Sequence, residues 1–404
     1  MTTESDVAQW RVGYNPAMRS ALTLLFVLVL TSPAHAFNAL GHKTIAALAW
    51  QELTPAVRSH VAAVLRRHPR FDEDFAKQMP AGVADEDEWI FQQAGVWPDL
   101  ARGFPGEARK LYDHPTWHYV NHPIFTAGEL PLFKVNLSTD YPPLEDVAQW
   151  NVCQAVKHCQ AALKSDAPPH NKALAYCWLS HLVGDLHQPM HSSAVFSDRF
   201  PTGCRGGNSI KIVQGENLHS LWDNLLGKSH KPNDVKREVA ELRARAQLIN
   251  VAASGDVEAW IQESHELAKS FAYSPEILEA VRPRGEVPPV NLSAEYLRGA
   301  GEHARHRIAA AGVRLATLIN DLPMTPIEAR RITKPAAKPS AAPAPRTRVP
   351  VQTLTPATAN PTLGYWLNEN GNVRHNSGCR FYEKTKRGRA CSATEGKPCG
   401  ICGG

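Results

Sequence analysis

The chain has 404 residues, 43% hydrophobic and 21% charged, with 18 histidines and 8 cysteines. That composition excludes a disordered or fibrous chain and suits one sizeable globular domain with an appendage. The net charge of +5 is unevenly placed: residues 331–404 hold twelve Lys/Arg against three Asp/Glu, a balance of +9, so the rest of the chain carries −4 and the basic character lives in the tail.

In chain order, Arg19 precedes an almost wholly apolar run from Ala21 to Leu30, and Ala34-His35-Ala36 forms a small-x-small site. This predicts an export signal over residues 1–36, cleaved after Ala36, with a periplasmic or extracellular product. Met18 is an alternative start, because residues 1–17 are unlike a signal n-region. The run is too short for a mature transmembrane helix, and no internal stretch is apolar enough for one. The processed chain would begin Phe37-Asn38-Ala39-Leu40-Gly41-His42. Its free amine and first carbonyl oxygen can chelate a metal, with His42 able to join.

Helical periods occur in 43–53, 55–67, 144–165, 171–186, 220–226, 234–250, 257–271 and 294–322. Residues 192–215, with Gly203, Gly206 and Gly207, read as a loop with room for a short hairpin. The expected fold class is all-α over residues 37–325. Residues 331–363 alternate Pro, Ala and basic residues, which predicts an extended linker. A Cys-rich basic module occupies 364–404.

The run His181-Leu-Val-Gly-Asp185-Leu-His187-Gln-Pro189-Met-His191 carries most information. His181 and Asp185 are one helical turn apart on one face. Pro189 is expected to end that helix and leave His191 to fold back beside it. His219 and Asp223 repeat the same i, i+4 spacing. One His/Asp pair on a helix is more often an ion pair; two pairs with a histidine between them point to more than one metal ion. Imidazole and carboxylate suit zinc. Asp99, in Trp97-Pro98-Asp99, and His118, before Tyr119, extend the set. Nine positions (Phe37, His42, Asp99, His118, His181, Asp185, His191, His219 and Asp223) can hold three ions if one carboxylate bridges.

This order resembles the zinc-dependent nuclease family that includes mung-bean nuclease and the mould single-strand nucleases. The matching motifs are Gly41-His42, Trp97-Pro98-Asp99 with Arg102, His118-Tyr119, the 181–191 run, Gly206-Gly207-Asn208, and Asn217-Leu218-His219 with Trp222-Asp223. They span residues 37–323. The resemblance implies a multi-helix phospholipase C/nuclease-like fold with a trinuclear zinc cleft. Asp99, His118, His181 and Asp185 would hold one zinc. Asp185 would bridge to a second, held also by His42 and the backbone of Phe37. His191, His219 and Asp223 would hold the third. Asp99 would orient the attacking water, and Arg102 would neutralise charge on the phosphate oxygens. The implied substrates are single-stranded DNA and RNA, cut to 5′-phosphorylated products, and 3′-nucleotides. Single strands are favoured because the backbone must bend inward and a base leave the stack.

Tyr119 matches an aromatic position of the family's base pocket. Asn121 falls where some members carry Asp, and Asn208 is a further pocket candidate. Phe37 departs from the family's usual Trp, and His187, without a ligand counterpart, reads as a core residue. Zinc-dependent phospholipase C, a more distant relative, is the enzymatic alternative; Arg102 and Asp223 favour the nuclease. A non-catalytic zinc- and nucleic-acid-binding protein is the alternative of another class. A monomer is expected.

In an exported protein, Cys153–Cys159 and Cys177–Cys204 are candidate disulfides, with a buried thiol at Cys177 as the alternative. In the tail, Cys379, Cys391, Cys399 and Cys402, with His375 nearby, fit either a further zinc or two disulfides. Arg380, Lys384, Lys386, Arg387 and Arg389, with Tyr382 among them, fit a nucleic-acid contact or a surface tether.

Overall fold

The computed structural model describes residues 37–125, 135–140, 147–245, 256–282, 286–324, 365–368, 371–376, 388–391 and 395–398. The expected signal segment and linker lie outside them. The chain divides into two units, Met1–Ile332 and Thr333–Gly404.

The described part of the first unit is all-α apart from one short strand pair and isolated bridges. Its helices are α1 (Ala39–Glu52), α2 (Pro55–Leu65), α3 (Phe71–Asp74), α4 (Glu86–Ala101), α5 (Gly106–Tyr112), α6 (Val152–Lys164), α7 (Pro169–His187), α8 (Pro189–Ser192), α9 (Leu218–Asp223), α10 (Pro232–Ala244), α11 (Val257–Leu267), α12 (Pro275–Ala280) and α13 (Ala294–Asn320). Several starts follow from side-chain caps. Asn38 accepts the N–H groups of Leu40 and Gly41, Asp85 that of Glu88, and Asn151 with Gln154 makes a reciprocal capping box. These satisfy N–H groups that a helix start leaves without partners.

Helix α7 is the axis of the fold. Ala175 through His187 are all buried, its apolar residues packing on neighbouring helices and its polar Ser180, His181, Asp185 and His187 buried with them. It packs against α1, α2, α4, α6, α11 and α13. Its C-terminal end is held by two buried arginines of α13. Arg307 Nε donates to His187 O at 3.1 Å, and Arg314 Nη1 lies 2.9 Å from His187 Nε2. Both guanidiniums bond Glu263 of α11. Cations here complement the negative end of the helix dipole. His187 is thus a core residue, its Nδ1 bonding Val183 O at 2.7 Å.

The structure refines or corrects the sequence reading at four points. Helix α4, which carries Asp99, is not among the helical periods of the sequence. As expected, α7 stops before Pro189, its last residue being His187; the addition is that Pro189 opens α8, so His191 sits on a short helix of its own. Within the 192–215 loop an antiparallel bridge, Ile212–Gly215, closes a tight turn, while Ser193–Phe196 (β2) pairs in parallel with His122–Phe125 (β1). Positive φ at Gly203, Arg205, Gly206 and Gly207 also turns that loop back on itself, a conformation glycine adopts readily.

The fourth point is a correction and concerns the disulfides. Cys153, Cys159, Cys177 and Cys204 are buried free thiols. Cys153 and Cys159 lie six residues apart on α6, a rise of about 9 Å, beyond the reach of a disulfide. Cys204 Sγ instead accepts the N–H groups of Val195 and Gly207 at 3.1 and 3.2 Å and meets Tyr273 Oη at 3.4 Å.

The described part of the second unit is a small four-stranded sheet, β3 (Tyr365–Asn368), β4 (Val373–Asn376), β5 (Gly388–Cys391) and β6 (Lys397–Pro398), ordered β5-β3-β4-β6. Leu367, His375 and Cys391 are buried in it, and Arg389 pairs with Glu395 at 2.6 Å. Cys379, Cys399, Cys402, Arg380, Tyr382, Lys384, Lys386 and Arg387 lie outside the described residues.

Candidate metal centre and cleft

Eight side chains from six segments converge on one buried region. Helix α1 supplies His42, α4 supplies Asp99, and the turn before β1 supplies His118. Helix α7 supplies His181 and Asp185, α8 supplies His191, and α9 supplies His219 and Asp223. They form three groups able to hold a metal: His42, His181 and Asp185; Asp99, His118 and His181; and His191, His219 and Asp223. Asp185 sits between the first two groups, with Oδ1 3.5 Å from His42 Nε2 and Oδ2 3.0 Å from His118 Nδ1. His181 Nε2 lies 3.0 Å from His118 Nδ1, 3.4 Å from Asp185 Oδ2 and 3.7 Å from Asp99 Oδ1. In the third group, His219 Nε2 lies 3.0 Å from His191 Nε2 and 3.6 Å from Asp223 Oδ2.

The hydrogen bonds behind these rings test whether a cation fits. His181 Nδ1 donates to Gly95 O at 2.8 Å, His191 Nδ1 to His118 O at 2.6 Å, and His219 Nδ1 to Gly206 O at 2.7 Å. Such bonds place the proton on Nδ1 and leave a lone pair on Nε2. In the third group two lone pairs then face each other at 3.0 Å. Burial, then the neighbouring His219, holds His191 well below its ordinary pKa. Burial, then Asp99, pushes Asp185 well up, and burial pushes Asp223 well up. Asp185 Oδ1 accepts no hydrogen bond. Buried carboxylates and opposed lone pairs are costly alone and are ligands once a cation is present. The residues fit such an ion.

Close packing depends on two glycines. A Cβ at Gly184 would stand 2.8 Å from His42 Nδ1. Gly206, at φ +57°, leaves no room for a Cβ beside Met190 O and places its own carbonyl behind His219. At the start of the described chain, Phe37 is buried and packs on Gly41, whose added Cβ would lie 2.5 Å from Phe37 Cβ. Asn38 N donates to Asp223 O at 3.0 Å, which ties this segment to α9. Gln188 Nε2 donates to Asp223 Oδ1 at 2.8 Å and fixes that carboxylate.

The region opens into a cavity of about 830 Å³. Asp99, Arg102, His191 and His219 line it, together with Tyr119, Asn121 and Asn208. Arg102 Nε stands 3.5 Å from Asp99 Oδ1, and its side chain is 12% exposed. Tyr119 is 38% exposed. Sequence reasoning missed Arg109, Asp113 and Arg205, which also line the cavity. Arg109 and Asp113 are an i, i+4 pair at 3.0 Å, a readable spacing. Arg205 sits among glycines at φ +56°, and nothing in its residue type announced that position.

The S1/P1 Nuclease family model matches residues 37–323. Endonuclease 3 of Arabidopsis thaliana is 26% identical, covering 58% of this chain and 82% of the relative. Nuclease PA3 of a Penicillium species is 22% identical, covering 71% and 97% respectively. Nuclease P1 of Penicillium citrinum is 20% identical, covering 64% and 77%. With that match across most of its length, the chain belongs to the S1/P1 nuclease family of metal-dependent phosphodiester hydrolases.

Proposed function

We propose that this nuclease is an exported, three-zinc enzyme that cuts single-stranded DNA and RNA to 5′-phosphorylated products and also removes 3′-phosphates. The observation that carries the reading is the three buried ligand groups, two of which reach the wall of a cavity through Asp99, His191 and His219, a cavity also lined by a cation and an exposed ring. Asp99, His118, His181 and Asp185 would hold one zinc. Asp185, His42 and the backbone of Phe37 would hold the second, and His191, His219 and Asp223 the third. When bound, zinc lowers the pKa of water toward neutrality and stabilises negative charge on phosphate oxygens.

The protein's own groups supply positioning. Asp99 orients the attacking water toward phosphorus. Arg102 offers a planar fork of donors to the equatorial oxygens, on which charge builds. Tyr119 presents an exposed face for a base, and Asn121 and Asn208 offer both donor and acceptor atoms to its edge. An unpaired base reaches that face only after leaving a stack, which favours single strands. In the tail, Cys391 is a free thiol, so the four cysteines would hold a further zinc, and the surrounding cations suit nucleic acid or a surface.

The test is product analysis with the zinc-loaded, processed protein. Release of 5′-phosphorylated fragments from single strands, with no phosphocholine from lecithin, is expected. Phosphocholine release without strand cleavage would reassign the chain to the lipase chemistry; neither activity at full zinc content would leave a binding protein.

A further inference from the structure

A second cavity, of about 570 Å³, adjoins the cleft lined by Asp99, His191 and His219: Leu100 and Gly103 line both. Its other lining residues include Lys43, Asp74, Trp89, His230 and Lys231. Lys43 is next to His42 on α1, about 100° further round the helix, so one helix serves both cavities. Lys43 is 8% exposed and makes no hydrogen bond or ion pair among the described residues. Its ammonium faces the Trp89 ring, 5.6 Å from the centroid. The carboxylate in the lining does not serve as its counter-ion. Asp74 is taken by Arg70 at 2.7 and 2.9 Å and by Trp97 Nε1 at 2.9 Å.

Lys43 is largely buried, but its ammonium is not closed off and faces the cavity with no counter-ion there, and the contact with an aromatic face balances only part of its charge. The cavity therefore suits an anion, which Lys43 meets from inside and the exposed His230 and Lys231 meet from the rim. We infer that this is a second phosphate subsite, taking a backbone phosphate of the strand whose neighbouring phosphate lies in the cleft. The inference rests on the nuclease reading and adds a substrate contact to it. A strand passing from one cavity to the other crosses Leu100, which is 40% exposed.

The test compares zinc-loaded wild type with Lys43→Gln. For a single-stranded oligonucleotide, KM should rise about 5- to 10-fold with kcat within about twofold, and the slope of log KM against log salt should fall by about 0.7, the share of one single-strand phosphate. Turnover of a 3′-mononucleotide, which has no second phosphate, should stay within about twofold, as should its inhibition by inorganic phosphate. Binding of a non-cleavable phosphorothioate strand, read by fluorescence anisotropy, should weaken by the same factor, and Lys231→Gln should weaken it less. Lys43→Met should unfold at a higher temperature than wild type in the absence of nucleic acid. Unchanged strand binding and salt slope in Lys43→Gln would overturn the subsite. So would a parallel fall in mononucleotide turnover, which would mark a disturbed His42. A shift in phosphate inhibition alone would assign the cavity to free phosphate. Strand binding without cleavage by wild type would count against the nuclease reading and leave the subsite standing.

Discussion

Replacing Gly184 by alanine tests how tightly the first ligand group is built. Helix propensity alone favours alanine by about 1 kcal/mol in a helix interior. Packing opposes it. The new Cβ would stand 2.8 Å from His42 Nδ1, 2.9 Å from its Cε1 and 3.2 Å from Ile45 Cδ1. The imidazole is stacked on His181 with centroids 4.0 Å apart, and its Nε2 faces Asp185 Oδ1 at 3.5 Å. Overpacking of a close-packed interior costs about 1–3 kcal/mol, so the net loss is about 0–2 kcal/mol. Displacing the ring also moves a ligand atom, and disturbances of that kind cost about 10- to 100-fold in metal affinity. Competitive zinc titration and thermal unfolding, each with and without chelator, read both effects. Gly184→Ala should lose its weakest zinc about 10- to 100-fold more readily and unfold up to about 5 °C lower when loaded. A variant with wild-type zinc affinity and raised Tm would show that the close approach of His42 to α7 is wrong.

Arg102→Ala should lower kcat on single strands by about 10²–10³-fold, the scale of losing one transition-state donor, with zinc content unchanged; activity near wild type would remove Arg102 from the chemistry. Glu263 gives a pH prediction. Burial raises its carboxyl, but the bonds from Arg314 and Arg307 outweigh that and hold it down at about 2. Its contribution to stability is therefore full above the ordinary value of about 4.3 and is lost as pH falls toward 2. Glu263→Gln should lower Tm at pH 7, with the gap to wild type closing below about pH 4; a gap that persists at pH 2 contradicts this. Alkylation of the unfolded, unreduced protein and peptide mapping should show label on Cys153, Cys159, Cys177 and Cys204; a disulfide-linked pair among them would refute the free thiols.

Legibility in the sequence tracks locality. Helix α7 is readable because it is long and largely apolar, and its His181/Asp185 spacing survives any small error in its ends. Helix α4 escaped because Pro98 reads as a breaker, although Asp85 and the acidic Glu86, Asp87 and Glu88 mark its start. The parallel pairing of 122–125 with 193–196 joins segments about seventy residues apart and leaves no local trace. The disulfide reading weighed compartment over geometry, and one helical rise defeats Cys153–Cys159. Gln188 was in plain view in the 181–191 run, but its bond to Asp223 depends on where α9 lies. Lys43 carried no signal, because only the fold places its ammonium against a cavity without a carboxylate partner.

The most direct test is anomalous diffraction at the zinc edge from crystals of the processed protein. Three peaks are expected. One should lie among Asp99, His118, His181 and Asp185, one beside Asp185, His42 and Phe37, and one among His191, His219 and Asp223. Peaks elsewhere, or none among these groups in a zinc-loaded crystal, would contradict the account.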